Sequence, residues 1–204
     1  MTRRATSSVS SGMERMHSPD LKDLPGSELL RLGRSSIEHG LKHGEPLPVD
    51  CDALHAALSE PAATFTTLRI EGELRGCCGT LEATRPLAKD VAHSAFQAAF
   101  HDSRFDPVRR EDLERVSVGV SVLSPLEPFP VSDEADLLER LKPGIDGLVI
   151  VEGLRRATFL PTVWTMLPEP SEFVAQLKRK CGLHENYWSD QLEFFNYQTT
   201  SFRE

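Results

Sequence analysis

Cysteine, tryptophan and tyrosine are scarce in this chain of 204 residues: four, two and two. Four cysteines are too few for a disulfide scaffold at this length. They show no Cys-x-x-Cys pairing, and the cysteine pattern of a radical iron–sulfur enzyme is missing, so no metal centre and no cofactor is expected. No apolar run approaches the ~18 residues of a membrane helix. Positive charge is also short: 23 Lys and Arg stand against 31 Asp and Glu, a formal charge of −8. That balance argues against a nucleic-acid role, though not against a local basic patch. Phosphate loops, dinucleotide glycine fingerprints, nucleophile elbows and zinc-protease helices are all missing.

What is present reads as globular. The chain is 39% hydrophobic and 26% charged, ordinary for a folded domain. Its length suits one large domain or one domain of two lobes, with a core that needs no staples. Residues 1–21 open with MTRRATSSVSSGMERMHSPD, rich in Ser, Thr and Arg. Such a segment has little to bury, so a disordered tail is expected ahead of a folded unit over 22–204. A mitochondrial transit peptide, or a start upstream of the true initiator at Met13 or Met16, is the alternative. The lack of an apolar helical face favours the tail. Without a secretory signal, a reducing cytoplasm with free thiols is the expected compartment.

Periodicity predicts helices over 27–43 (capped by Ser27), from Asp50 or Asp52 to Leu58, from Pro86 to Phe100, from Ser132 to Leu141, and from Ser171 to Gly182. Strands are predicted over 64–70 and 73–82 around Glu71-Gly72, over 116–122, and over 148–151 and 155–160 around Glu152-Gly153. The aromatic, β-rich segment 191–202 is read as one closing strand. Hairpins mixed irregularly with helices indicate an α+β fold with mostly antiparallel sheet.

The densest motif is Leu-Arg-Gly-Cys-Cys-Gly-Thr, residues 74–80. Gly76 and Gly79 permit close approaches. Alternation sends Cys77 and Cys78 to opposite faces. One reading is a reactive Cys77 with a cation nearby to favour thiolate; the plainer one is a small buried hydrophobe. His93, His101 or His184 would be the partner of a Cys–His dyad. Arg104, within Asp102-Ser103-Arg104-Phe105-Asp106-Pro107, either meets an anionic ligand or pairs internally with Asp, and the internal pair is favoured. The run Thr158–Trp164 either walls a pocket or fills a core. His39 and His43, four apart on one helix, lack supporting ligands and are read as solvent-facing.

Taken in order, LRGCCGTLEATRPL, AFHDSRFDPVRREDLERVSVGVSVLSP, PGIDGLVIVEG, TFLPTVW and FVAQLKRKCGL resemble the AMMECR domain family, whose bacterial members are called AmmeMemoRadiSam system protein A. The likeness spans roughly residues 27–200. The family motif is usually Leu-Arg-Gly-Cys-Ile-Gly-Thr, so the resemblance places the characteristic cysteine at Cys77, flanked by Arg75, Gly76, Gly79 and Thr80. Cys78 takes the aliphatic position and is expected in a core. Asp102, Arg104, Phe105 and Pro107 match a second motif; Phe159, Leu160, Pro161 and Trp164 match a third. Thr162 replaces the usual Gln, and Cys181 a small residue. The resemblance implies two intertwined α+β lobes, each a mostly antiparallel sheet with flanking helices, and a motif cleft between them. The expected cleft residues are Arg75, Gly76, Gly79, Thr80, Asp102, Arg104, Phe159, Pro161 and Trp164.

The resemblance also implies partners: a Memo-like protein and a radical S-adenosylmethionine enzyme. Two functions follow as expectations. One is a component that binds a small ligand or these partners. The other is a cysteine-dependent enzyme with Cys77 in the cleft and Arg75 or Arg104 holding an anionic substrate.

Overall fold

The computed structural model describes residues 21, 23–51 and 54–204. The tail expectation therefore falls, Leu21 apart, outside the described residues. Among those residues no helix is long and apolar enough to cross a membrane.

The first lobe is a four-stranded sheet backed by two helices. Helix α1 (Gly26–His43) leads, after a short 3₁₀ turn at Ala56–Leu58, into strands β1 (Thr64–Ile70) and β2 (Glu73–Gly79). The hairpin between them needs positive φ at both turn residues, and Glu71 (54°) and Gly72 (86°) supply it. Helix α2 (Leu87–Phe100) and strand β3 (Val116–Leu123) follow. Val116, Val118, Val120 and Val122 are all buried, and they pack with Leu29 and Ile37 of α1 and Leu87, Val91 and Ala95 of α2. The predicted alternation is thus the inner face of this sheet. A buried polar network joins it to α2: Asp90 accepts bonds from the Thr64 N–H (3.0 Å) and hydroxyl (2.6 Å), and Thr66 meets Ser94 at 2.7 Å.

The second lobe follows through β4 (Glu127–Pro128), α3 (Glu134–Arg140), β5 (Gly147–Glu152), β6 (Arg155–Phe159), a 3₁₀ segment Pro161–Thr165 and α4 (Pro170–Lys180). Trp164 stacks on Phe173 at 3.8 Å and donates its indole N–H to Asp146 O (2.7 Å). Lys178, fully buried, ties α4 to Glu134 (2.8 Å) and to Glu185 O (3.1 Å).

The closing segment departs from expectation. It is two strands, β7 (Glu193–Tyr197) and β8 (Thr199–Arg203), in different sheets. The orders are β2-β1-β3-β8 and β4-β7-β5-β6, antiparallel throughout. The crossing lies at Gln198, whose N–H bonds the Ser124 hydroxyl (2.9 Å) and whose carbonyl accepts from Ser124 N–H (2.9 Å). Beyond Leu123 the first sheet has no more of β3 to pair with, so the chain changes sheets there. The caps differ too: Pro25, not Ser27, precedes α1; His55, not an Asp, caps the 3₁₀ turn; and Asp133, not Ser132, caps α3.

Candidate functional site

The outer face of the first sheet meets the second lobe. At one end the two sheets share an apolar layer of Ala63, Leu123, Val149 and Tyr197. Beyond that layer lies a groove of ≈ 170 Å³. Strand register explains its floor. Cys77, Thr67, Gly119 and Arg203 are successive cross-strand partners from β2 to β8. Ser117 and Ser121 flank Gly119, with Arg69 opposite Ser117. Leu160 and Thr162 of the second lobe complete the wall.

Cys77 stands at the β2 edge of that row, its Sγ 3.4 Å from the Thr67 hydroxyl. Its backbone is clamped. The N–H donates to Asp102 Oδ2 at 2.8 Å, and the carbonyl accepts from Arg104 Nη2 at 3.4 Å. Arg104 and Asp102 close the clamp by pairing with each other (Nε–Oδ1 2.9 Å, Nη2–Oδ2 2.6 Å). The Arg104 guanidinium, assisted by the Cys77 and Arg104 N–H groups, holds the Asp102 carboxyl far below the usual carboxylate range. Cys78 points the other way, against the first core, where burial pushes its thiol pKa up.

Lys180, at the end of α4, brings charge from the opposite lobe. Its ammonium donates to Thr158 O (2.9 Å) and lies 5.1 Å from the centre of the Phe159 ring. The residue is exposed overall, yet crowding at the ammonium lowers its pKa; Cys77 opposes that shift electrostatically and Arg104 adds to it. The three histidines considered as bases make no hydrogen bond to Cys77 among the described residues. His93 shares a surface pocket with Arg85 and Lys89, His101 packs on Phe96, and His184 Nδ1 accepts the Asn186 N–H.

Comparison with known proteins meets this geometry. The AMMECR1 family model matches residues 30–202. The chain belongs to the AMMECR1 family. A protein of Methanothermobacter thermautotrophicus is 33% identical over 181 residues, 88% of this chain and 94% of the relative. Protein MJ0810 of Methanocaldococcus jannaschii is 32% identical over 187 residues, 88% of this chain and 90% of that one. The crystal structure of the uncharacterised protein PH0010 from Pyrococcus horikoshii superposes with a TM-score of 0.82 at 31% identity, covering 88% of this chain and 91% of the other. The fold expected of an AMMECR domain, two antiparallel sheets with flanking helices, is the one observed.

The AMMECR1 motif residues divide by position. Asp102 and Arg104 reach Cys77, and Phe159 meets Lys180. Arg75 goes elsewhere: a register shift pairs Leu68 with Gly76 but Arg69 with Leu74, so Arg75 has no partner on β1. Its guanidinium serves Pro107 O (3.3 Å) and Asp112 (3.9 Å). Gly76 and Gly79 are packing positions, where a Cβ would fall 2.1 Å from Ala98 O and 2.2 Å from Thr64 O. Thr80 turns the chain, accepting the Glu82 N–H at 3.0 Å. Pro161 and Trp164 are buried, Trp164 within the core of the second lobe. Sequence reasoning missed Thr67, Arg69, Lys180 and Arg203. Of these, only the place of Thr67 and Arg69 on a predicted hairpin strand beside the cysteine motif offered a signal.

Proposed function

We propose that this AMMECR1-family chain is a ligand- and partner-binding component of the cytoplasm. Following the family resemblance, it works beside a Memo-like protein and a radical S-adenosylmethionine enzyme. The observation that carries the reading is the Asp102–Arg104 clamp. It satisfies the N–H and the carbonyl of Cys77 and pairs Arg104, one of the two arginines that a cysteine enzyme would turn toward substrate, with Asp102. Among the described residues no histidine hydrogen-bonds the Cys77 thiol, whose contact is the Thr67 hydroxyl at 3.4 Å, a fixed position that suits a binding wall. The test is capture of both partners by the tagged chain under mild salt. Wild type and Cys77→Ser are expected to capture them equally; failure of the wild type to retain either partner overturns the proposal.

One observation supports a second reading, a cysteine-dependent enzyme acting on an anionic small molecule. The Cys77 thiol stands on the outer face of the sheet beside the Thr67 hydroxyl (3.4 Å), and Lys180 of the facing lobe, held on Thr158 O (2.9 Å), is the cation that an anionic substrate there would meet. That reading expects Cys77 to be alkylated faster than free cysteine near neutral pH, with the advantage lost in Lys180→Gln. A rate at or below that of free cysteine leaves only the binding role.

A further inference from the structure

The cations around the groove lack what most arginines in this chain have. Acids are in excess by eight, and the arginines elsewhere are largely paired: Arg34 with Glu204, Arg85 with Asp90, Arg104 with Asp102, Arg156 with Glu82. At the groove this stops. Arg203 has no hydrogen-bond or ion-pair partner for its guanidinium among the described residues. Among the described residues Arg69 donates only to a backbone carbonyl, Gly72 O at 2.8 Å. The carboxylate that does line the groove, Glu204, is taken by Arg34 and by the Val118 N–H (2.9 Å).

The floor between these arginines is kept open. A Cβ on Gly119 would meet its nearest neighbours at 3.6 Å, so packing does not demand glycine there. A larger side chain would project into the groove. Beside it the Ser117 hydroxyl on β3, and Thr162 from the facing lobe, offer neutral donors at the same wall, while the Ser121 hydroxyl is shared with Ser201 (2.8 Å). Two guanidinium forks over a hydroxyl ledge are the donor set that an oxyanion takes up.

Resting on the binding reading above, we infer that this groove is the ligand site and that its occupant is a small organic oxyanion. A carboxylate or phosphoryl head lies between Arg69 and Arg203 over Ser117 and Gly119, and the body of the molecule runs along the Thr67 row toward Cys77. Three strand spacings separate Arg203 from Cys77, about 14 Å, which sets the length an occupant needs to touch both. The ≈ 170 Å³ of the groove is below the roughly 300–1,000 Å³ of drug-sized ligand sites, which selects a small acid over a nucleotide. Arg75 and Arg104, the arginines of the motif, do not line the groove: Arg75 turns to Pro107 O and Asp112, and Arg104 pairs with Asp102.

The experiment is titration of the ¹⁵N-labelled full chain with inorganic phosphate and, separately, with succinate, at ionic strength held constant with sodium chloride. Saturable shifts are expected at the amides of residues 117–121 and 203. Arg69→Gln and Arg203→Gln each weaken binding about tenfold or more, as loss of a charge-assisted bond does. Gly119→Leu abolishes it, and Arg31→Gln, on exposed α1 and paired with Glu28, leaves it unchanged. Both arginines are exposed, so their variants fold even if the leucine variant does not. A response to phosphate alone assigns a phosphoryl head, and to succinate alone a carboxylate; either supports the site. No saturable response to either probe, or the same response in both arginine variants, overturns it. Partner capture read on the same variants separates the two proposals: capture without anion binding sinks this inference alone, and anion binding without capture sinks only the partner reading.

Discussion

The β2-β1-β3-β8 sheet has two faces drawn from the same alternating strands, and they have opposite chemistry. The inner face carries Leu68, Val116, Val118, Val120 and Val122 against two helices. The outer face carries Thr67, Arg69, Ser117, Gly119, Ser121 and Arg203 along a groove. One residue along a strand is enough to pass from core to groove, because the side-chain period is two. Cys77 and Cys78 straddle that boundary. Gly76 and Cys78 turn toward the helices, whereas Cys77 lies on the outer face, at the β2 end of the row that floors the groove.

The widest separation between the faces is expected at the glycines. At Gly76 a Cβ would overlap Ala98 O on α2 at 2.1 Å, a backbone atom that has no room to retreat. Gly76→Val should cost about 3 kcal/mol or more, or prevent folding outright, read as a lowered denaturant midpoint with unchanged slope. A cost under about 1 kcal/mol would mean that α2 and β2 are less tightly apposed than described.

Adjacent residues on β3 give the next test. Val120→Ala removes two buried methyl groups and should cost about 2 kcal/mol. Ser121→Ala, one position on, loses only an exposed hydroxyl contact with Ser201 (2.8 Å) and should stay within about 0.5 kcal/mol. Equal costs would erase the distinction between the faces.

Much of this arrangement is legible in the sequence, because it depends on local pattern. The Val116–Val122 alternation, the Glu71-Gly72 turn and the apolar stripe of α2 need no distant information, and they place the first sheet and the face of Cys77. The remainder depends on contacts across long stretches of chain. The split of the closing segment at Gln198 is set by where β3 ends, some 75 residues earlier. Lys180 and Arg203 reach the site only because two lobes and four strands assemble around it. The bulge that turns Arg75 away from the groove is a register detail with no compositional mark.

The clamp on Cys77 predicts a pH dependence. The pKa of Asp102 is depressed in the fold, so its contribution is present above the unfolded value, ~3.9, and is lost as pH falls below that toward the folded value. Arg104 is 56% exposed while Asp102 is 7% exposed, so solvent screening reduces the pair's worth. Asp102→Asn should cost about 1 kcal/mol at neutral pH and flatten the acid limb of stability between about pH 4 and 2. An acid limb identical to wild type would show that the clamp adds no linked stability.

The smallest expected change in stability is the most discriminating, because its sign is opposite. Gly119 sits mid-strand, in the same sheet as Gly76, but its Cβ direction opens on the groove with nothing nearer than 3.6 Å. Glycine inside a strand costs conformational entropy relative to alanine, and here no packing contact offsets it. Gly119→Ala should therefore raise stability by about 0.5 kcal/mol, seen as a small upward shift of the denaturant midpoint, while narrowing the floor between Arg69 and Arg203. A stabilised variant that binds phosphate or succinate more weakly would mean that the glycine is kept for the groove at the fold's expense. A destabilised one would place Gly119 with Gly76 and Gly79 as a packing position, and the outer face would lose its claim to be shaped for a ligand.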